Sequence, residues 1–150
     1  MDNLPVSDIA YLAGLLDGEG SICILKRKNS SGNLQYWLEV SIGNTHRGVL
    51  DWVHQTFGGH ISDNAERYTP RNHQTWRWRV SSEKACQILE MLLPFLHIKK
   101  QQATLAIGTH RHMQSFAANS HNPLTTEELA WRATQKQMLS NLNLRHRPLD

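Results

Sequence analysis

Two carboxylates, Asp17 and Glu19, close the run Leu12-Ala13-Gly14-Leu15-Leu16-Asp17-Gly18-Glu19-Gly20. The spacing predicts a helix starting after Ser7, with Leu12, Leu15 and Leu16 turned toward a core. Gly14 and Gly18, four apart, leave a flat stripe where another backbone can approach. Glycine is a poor helix former, so the pair needs a packing reason. Glu19 falls at the carboxyl end of this helix, where the macrodipole disfavours an anion, and Gly20 stands where a left-handed cap forms. A carboxylate in that position calls for a cation. Residue by residue this is an amphipathic core helix with a glycine stop; as a whole string it is a notched helix that delivers an acid.

Other residues that carry chemistry are less concentrated. In Trp76-Arg77-Trp78-Arg79-Val80 the alternation puts both tryptophans and the valine on one side of a strand and both arginines on the other. Taken alone, that is a half-buried strand whose arginines keep the outer face wet. Cys23 and Cys86 are too few and too far apart for a zinc knuckle or a disulfide framework, which fits an ordinary reducing interior, cytoplasm or organelle. Nine histidines include His110-Arg111-His112, but residues two apart on a helix face different ways, so no metal centre is assigned there. Hydration or phosphate contact is the expectation for all nine.

The nine-residue string resembles the signature of the LAGLIDADG homing endonucleases, with Leu16, Gly18 and Glu19 standing for its isoleucine, second alanine and last aspartate. The resemblance implies that motif helices of two such domains pack side by side on a twofold axis, with Leu12, Ala13, Gly14, Asp17 and Gly18 in the interface. It also implies that Glu19, with Gly18, forms the metal position, that Asp17 is structural, and that magnesium is the cofactor. The stretch Pro94-Phe95-Leu96-His97-Ile98-Lys99-Lys100-Gln101-Gln102 resembles the family segment that carries an active-site lysine, with Lys99 fitting best and Lys100 as competitor. A polar side chain that positions water is expected just after the second strand. Ungapped pairing lands on Ile42, which is unsuited, and a shift of one or two residues offers Asn44, with Arg47 as a nearby phosphate or solvent contact; Asn44 serves equally as a helix cap.

The elements that would position these groups are legible. Ser21 to Lys28 and Gln35 to Ile42 read as a hairpin around Asn29-Ser30-Ser31-Gly32-Asn33. Tyr36, Leu38, Val40 and Ile42 share one face, and Gln35, Trp37, Glu39 and Ser41 the other; in the first strand Ile22 and Ile24 point inward, opposite Cys23, Leu25 and Arg27. A helix from about His46 to Phe57, capped by Asn44 or Thr45 and stopped by Gly58-Gly59, leads to a short strand over His60 to Asn64. Beyond a polar loop with Pro70 comes the Trp76 strand. Ser81 or Ser82 then caps a helix to Leu93, Pro94 breaks it, and Phe95 to roughly Gln114 is helical again. Ala117 to Pro123 links to a last helix opened by the capping box Thr125 to Glu128, with Leu129, Trp131, Met138 and Leu142 as its apolar residues.

The fold class is therefore α+β: an αββαββα core, which the resemblance places over about residues 8–115 with a four-stranded antiparallel saddle sheet, and extra C-terminal helices over about 124–143. With 150 residues and 17.2 kDa the chain suits one domain over 1–150. It holds one motif and no internal repeat, so a twofold pair of motif helices requires a second copy and a near-palindromic target. Residues 1–20 carry four acids and no Lys or Arg, −4 against a whole-chain +3, which leaves +7 over the rest. The helix with the acid is acidic and the remainder is basic, as nucleic-acid binding wants. No apolar run is long enough for a membrane span.

An antiparallel sheet covered on one face leaves the other open. That face would carry Arg27, Gln35, Glu39, Ser62, Asn64, Arg77 and Arg79, with Trp37 beside them and Asn29 in the turn, all types that read bases or hold phosphates. A strand of about eight residues covers roughly 26 Å, the rise of seven or eight base pairs at about 3.4 Å each. The resulting expectation is a homodimeric, magnesium-dependent double-strand DNA endonuclease of an intron or intein. The alternatives from the same fold are an RNA-splicing maturase, with intron RNA as partner, and a DNA-binding protein that does not cut.

Overall fold

The computed structural model describes residues 3–63, 74–116 and 123–144. Chain order is α1 (Val6–Glu19), β1 (Gly20–Lys28), β2 (Leu34–Asn44), α2 (Arg47–Phe57), β3 (His60–Asp63), β4 (Trp76–Ser81), α3 (Ser82–Leu92), a 3-10 turn (Leu93–Phe95), α4 (Lys100–Ser115) and α5 (Thr126–Leu144). This is the expected αββαββα order followed by two further helices. The strands form one antiparallel sheet in the order β1-β2-β4-β3.

One face of the sheet is the floor of the core. Ile22 and Ile24 from β1, Tyr36, Leu38, Val40 and Ile42 from β2, and Trp78 and Val80 from β4 are buried there. Leu12, Ala13 and Leu16 of α1, Leu50, Val53 and Phe57 of α2, and Ile88, Leu89 and Leu92 of α3 close over them. Trp78 is the largest fully buried side chain, and its indole N–H donates to the Gly58 carbonyl at 2.7 Å. The two glycines that stop α2 have φ of +76° and +92°, and a Cβ on Gly59 would stand 2.6 Å from the Trp78 Nε1. Left-handed backbone and close approach together require glycine at 59.

α5 lies along the outer edge strand β1, where Asn143 donates to the Ile22 carbonyl at 3.0 Å and so satisfies part of an open sheet edge. Its buried face is polar at one end: Glu128 and Arg132 pair at 2.9 Å, and Arg132 also donates to the Met113 and Phe116 carbonyls at the end of α4. That docking rotates the helix so that Leu139 is its core residue, while Met138, expected to be apolar contact, is 46% exposed and Leu142 is half-buried. The Thr125 hydroxyl accepts the Glu128 N–H at 3.1 Å, the cap expected; the Glu128 carboxylate goes to Arg132 and His112 instead of closing the box.

Several boundaries differ from the sequence expectation. α1 begins at Val6, with the Pro5 carbonyl accepting from the Asp8 and Ile9 amides, because proline sets the entry angle two residues before Ser7. Gly20 is extended, with φ of −94°, since the chain runs straight from α1 into β1; a Cβ there would lie 2.3 Å from Leu16 Cδ1, so close packing and not a left-handed cap demands the glycine. α2 starts at Arg47 and is capped by His46, not by Asn44 or Thr45. Ser81 stands at the N-cap of α3 without a side-chain cap bond, and Ser82 follows at φ +54°. α4 begins only at Lys100. The backbone from His97 to Lys99 is held out of helical form by Asp17, whose carboxylate accepts the His97 N–H at 2.7 Å and the Lys99 N–H at 2.9 Å. Among the described residues no helix is long and apolar enough to cross a membrane.

Candidate active site

Glu19 is the last residue of α1, and Gly20 is the first of β1, paired with Ile42 of β2. Antiparallel register therefore brings the end of β2 beside the end of α1. Asn44, the final residue of β2, uses that proximity: its side-chain Nδ2 donates to Glu19 Oε2. The helix-cap alternative for Asn44 does not hold; its Oδ1 accepts the His46 N–H at 2.8 Å in an Asx turn, and the cap falls to the His46 ring, whose Nδ1 accepts the Val49 N–H at 3.1 Å. Ile42, the ungapped alternative, is fully buried.

Lys99 reaches the same end of α1. Its ammonium donates to the Asp17 carbonyl at 2.6 Å, a cation at the negative end of the helix. Burial pulls the Lys99 ammonium below its ordinary range, an effect the neighbouring Asp17 charge opposes. Burial likewise pushes the Asp17 carboxyl up, but the amides of His97, Lys99 and Ile98 and the Lys99 charge outweigh it and hold the group below the ordinary range. Asp17 is thus a bracket between α1 and the segment before α4. Lys100 is exposed at the first position of α4.

The predicted interface residues divide. Leu12 and Ala13 are fully buried and Asp17 is 9% exposed, so these three belong to the protomer's own packing and are not on its surface. Gly14 and Gly18 are exposed, and among the described residues no atom beyond the local helix backbone would lie within 4 Å of a Cβ at either position. The bare stripe of α1 comprises Ser7, Ala10, Tyr11, Gly14 and Gly18 at spacings of three and four. Tyr11, 53% exposed, was missed by the sequence reading although the same spacing from Gly14 and Gly18 marks it; its ring meets Trp52 edge-on at 5.2 Å.

The face of the sheet turned away from the core carries the expected polar residues. Opposed residues share a face, so Arg79 stands between Ser41 and His60, Arg77 between Gly43 and Ser62, Glu39 between Cys23 and Ser81, and Gln35 opposite Arg27. Arg77 Nη1 donates to the Ser41 hydroxyl at 3.3 Å and Arg79 Nη2 to the Ser62 hydroxyl at 3.2 Å. Ser41 is buried beneath that contact, a role its polar alternation did not reveal. Trp37 is half-buried with the Arg27 guanidinium 5.6 Å from its ring centroid, a cation–π contact that lowers the cost of an indole on a polar face. Asn29 commits its side-chain oxygen to the Ser31 and Asn33 amides, which shapes the hairpin tip. Asn64 lies outside the described residues. Arg47 pairs with Asp51 at 2.8 Å and lies over Trp76.

Among the described residues three histidines depart from the expectation of hydration or phosphate contact; His73, His121 and His146 lie outside the described residues. His46 is a cap. His110 is buried beside Glu83 at 3.1 Å, and hydrogen bonds from Arg111, His110 and Gln114 pull the Glu83 carboxyl from its ordinary 4.5 down to about 2. His112 bonds Glu128 at 3.0 Å and stacks on Trp131 with centroids 3.8 Å apart. The rings of His110 and His112 tie α4 to α3 and α5. Among the described residues no three His, Cys, Asp or Glu side chains gather as a metal cluster. What one chain does offer at the end of α1 is a single exposed carboxylate beside an exposed helical turn containing Gly18, hard oxygen donors of the class that magnesium takes through one or two carboxylates. The donor chemistry fits that ion, with one carboxylate per chain.

The chain matches no family model and no curated protein. Its fold is similar to that of solved structures. The homing endonuclease I-CvuI in complex with its target in the presence of calcium aligns at a TM-score of 0.70 and 20% identity, over 91% of this chain and 82% of that one. The archaeal intron-encoded homing endonuclease I-Vdi141I complexed with DNA aligns at 0.72 and 18%, over 91% and 84%. The I-SmaMI LAGLIDADG homing endonuclease bound to cleaved DNA aligns at 0.66 and 22%, over 91% of this chain but 45% of that one. The fold is thus that of the homing endonucleases, and this chain corresponds to about half of the longer relative.

Proposed function

We propose that the protein is a site-specific double-strand DNA endonuclease that acts as a homodimer on a long, near-palindromic target. The observation that carries this reading is the Asn44–Glu19 hydrogen bond, because it lies where two otherwise unrelated surfaces meet. One is the glycine-notched stripe of α1, which no element among the described residues covers at Gly14 or Gly18. The other is the arginine-bearing face of the sheet. A second copy packed stripe to stripe would bring a second Glu19 beside the first, and DNA lying on the two sheet faces would pass over both.

Glu19 of each copy, with the turn containing Gly18, would hold magnesium, which supplies Lewis-acid polarisation of the scissile phosphodiester. The chain's own groups do the rest. Asn44 fixes the rotamer of the Glu19 carboxylate and leaves its second oxygen to the site. Lys99 offsets the negative end of α1 and so lowers the cost of collecting carboxylates and phosphates there. Arg77 and Arg79, steadied by Ser41 and Ser62, contact phosphates or base edges of the half-site, with Arg27, Gln35, Trp37 and Glu39 further contacts of the same face, Asn29 a contact from the hairpin tip, and Asn64, outside the described residues, a candidate by its residue type alone. Each copy then cuts one strand.

The test is magnesium-dependent double-strand cutting of the DNA that flanks this gene's own insertion site, with the two flanks joined. Paired nicks a few bases apart on opposite strands are the expected product. Tight binding of that DNA without cutting would assign the chain as a binding module, and splicing of the host intron RNA alone would assign it as a maturase.

A further inference from the structure

We infer that His46 is a positioning residue that sets the orientation of Asn44 on Glu19. The inference rests on the reading of that pair as the reacting site. Three bonds run in sequence: the Val49 N–H donates to His46 Nδ1 at 3.1 Å, the His46 N–H donates to Asn44 Oδ1 at 2.8 Å, and Asn44 Nδ2 donates to Glu19 Oε2. An asparagine side chain can present either end to a carboxylate, and only the amino end is attractive. Occupying Oδ1 with the His46 N–H leaves Nδ2 as the end that faces Glu19. The position of that N–H is in turn fixed by the ring, which binds the N3 amide of α2 and so pins residues 44 to 46 against the first turn of an eleven-residue helix.

The neighbouring sequence accommodates the ring. A Cβ on Gly48 would stand 3.0 Å from His46 Cε1, so the imidazole lies against the bare backbone of Gly48 in the same helical turn. The acceptor role of Nδ1 places the ring proton on Nε2, and any side chain with an acceptor at the same height does the same work. Asparagine is such a residue and leads the N-cap preference; alanine has no acceptor.

The first measurement needs no DNA. In the full-length, isotope-labelled protein, the side-chain amide resonances of Asn44 are compared among wild type, His46→Ala, His46→Asn and Glu19→Gln. His46→Ala should move the Asn44 amide pair away from its wild-type shift, and His46→Asn should restore it. An Asn44 pair unmoved by His46→Ala, or displaced equally by both replacements, overturns the inference. The second measurement is single-turnover cleavage: His46→Ala should cut roughly tenfold more slowly with DNA affinity within about twofold, the scale of a lost outer hydrogen bond. In an Asn44→Ala background the same change should cost nothing further, and an equal further loss would make His46 a helix brace only and overturn the inference. If the wild type cuts no DNA the endonuclease reading falls, while the amide comparison still decides the role of His46.

Discussion

Lys99 grips Asp17 by both of its nitrogens: its amide donates to the carboxylate at 2.9 Å and its ammonium to the Asp17 carbonyl at 2.6 Å. Two residues from the exposed Glu19, a buried aspartate thereby joins the last turn of α1 to the start of α4. Asp17→Asn keeps the volume but turns an amide nitrogen toward a backbone N–H, and should destabilise the fold by about 1–3 kcal/mol in urea unfolding. The pH dependence follows from the sign of the shift. A carboxyl held below its ordinary value of 3.8 contributes stability above that value and loses it as the pH falls through the lower, folded-state value. The wild-type minus Asp17→Asn difference should therefore be constant near neutrality and shrink below about pH 4; a difference that grows on acidification would contradict the bracket.

Glu19→Gln retains the length of the side chain and an oxygen that can accept from Asn44, and removes one negative charge. On the proposed function cleavage should vanish while DNA affinity stays the same or rises slightly, since an anion has been taken from the site proposed to meet the phosphates. Gel-shift titration beside a cleavage time course separates the two. Undiminished cutting would remove Glu19 from the chemistry.

Gly14→Leu tests the pairing of protomers without confounding it with folding. Among the described residues nothing beyond the local helix backbone lies within 4 Å of a Cβ at Gly14, so the larger side chain is tolerated by a single chain and, leucine being the better helix former, should leave unfolding stability equal or higher. Placed against another helix it forces the backbones apart. Sedimentation should show a folded monomer that binds its target weakly, and a full-size dimer would place the interface elsewhere.

Arg132→Met probes how α5 is held. Both Arg132 and Glu128 are 8% exposed at their side chains, so removing the cation strands a buried carboxylate. The expected cost is about 3–5 kcal/mol, lessened to the extent that His112, 3.0 Å away, takes over as partner. Adding Glu128→Gln should recover part of the loss in urea unfolding, because the stranded charge is then gone.

Patterns carried by one element were legible in the sequence. The period-2 runs Gln35 to Ile42 and Trp76 to Val80 assigned strand faces that burial bears out except at Ser41, and Gly58-Gly59 stopped α2 where expected. Long-range bonds were not legible. The helix expected from Phe95 begins at Lys100 because an aspartate some eighty residues earlier claims its amides, which no local propensity reveals. The same limit applied to the interface string: apolar spacing turned Leu12 toward the core, as observed, but the resemblance still assigned Leu12 and Ala13 to the interface and nothing marked Tyr11 as exposed, since Gly14 leaves the stripe without a side chain to mark its centre. Asn44 was found only as one of two alternatives, and the register of β1 with β2 is what sets it beside Glu19.

Arg77 and Arg79 distinguish positioning by phosphates from reading of bases. Both lie on the open face of β4, tethered to hydroxyls at 3.3 and 3.2 Å, contacts weak enough to yield to a phosphate or a guanine edge. Replacing either by alanine should lower affinity, and the manner of the loss identifies the contact. A phosphate contact weakens binding to all sequences alike and reduces the slope of log K against log salt by about one per protomer. A base contact instead costs about 1–3 kcal/mol on the preferred target and relaxes the choice of base at one position in each half-site. Arg77 lies opposite Gly43, next to Asn44, so its relaxed position should fall nearer the centre of the target than that of Arg79, whose register partner is Ser41. Competition with half-site libraries measures both, and an unchanged salt slope together with unchanged specificity for either variant would remove that arginine from the interface.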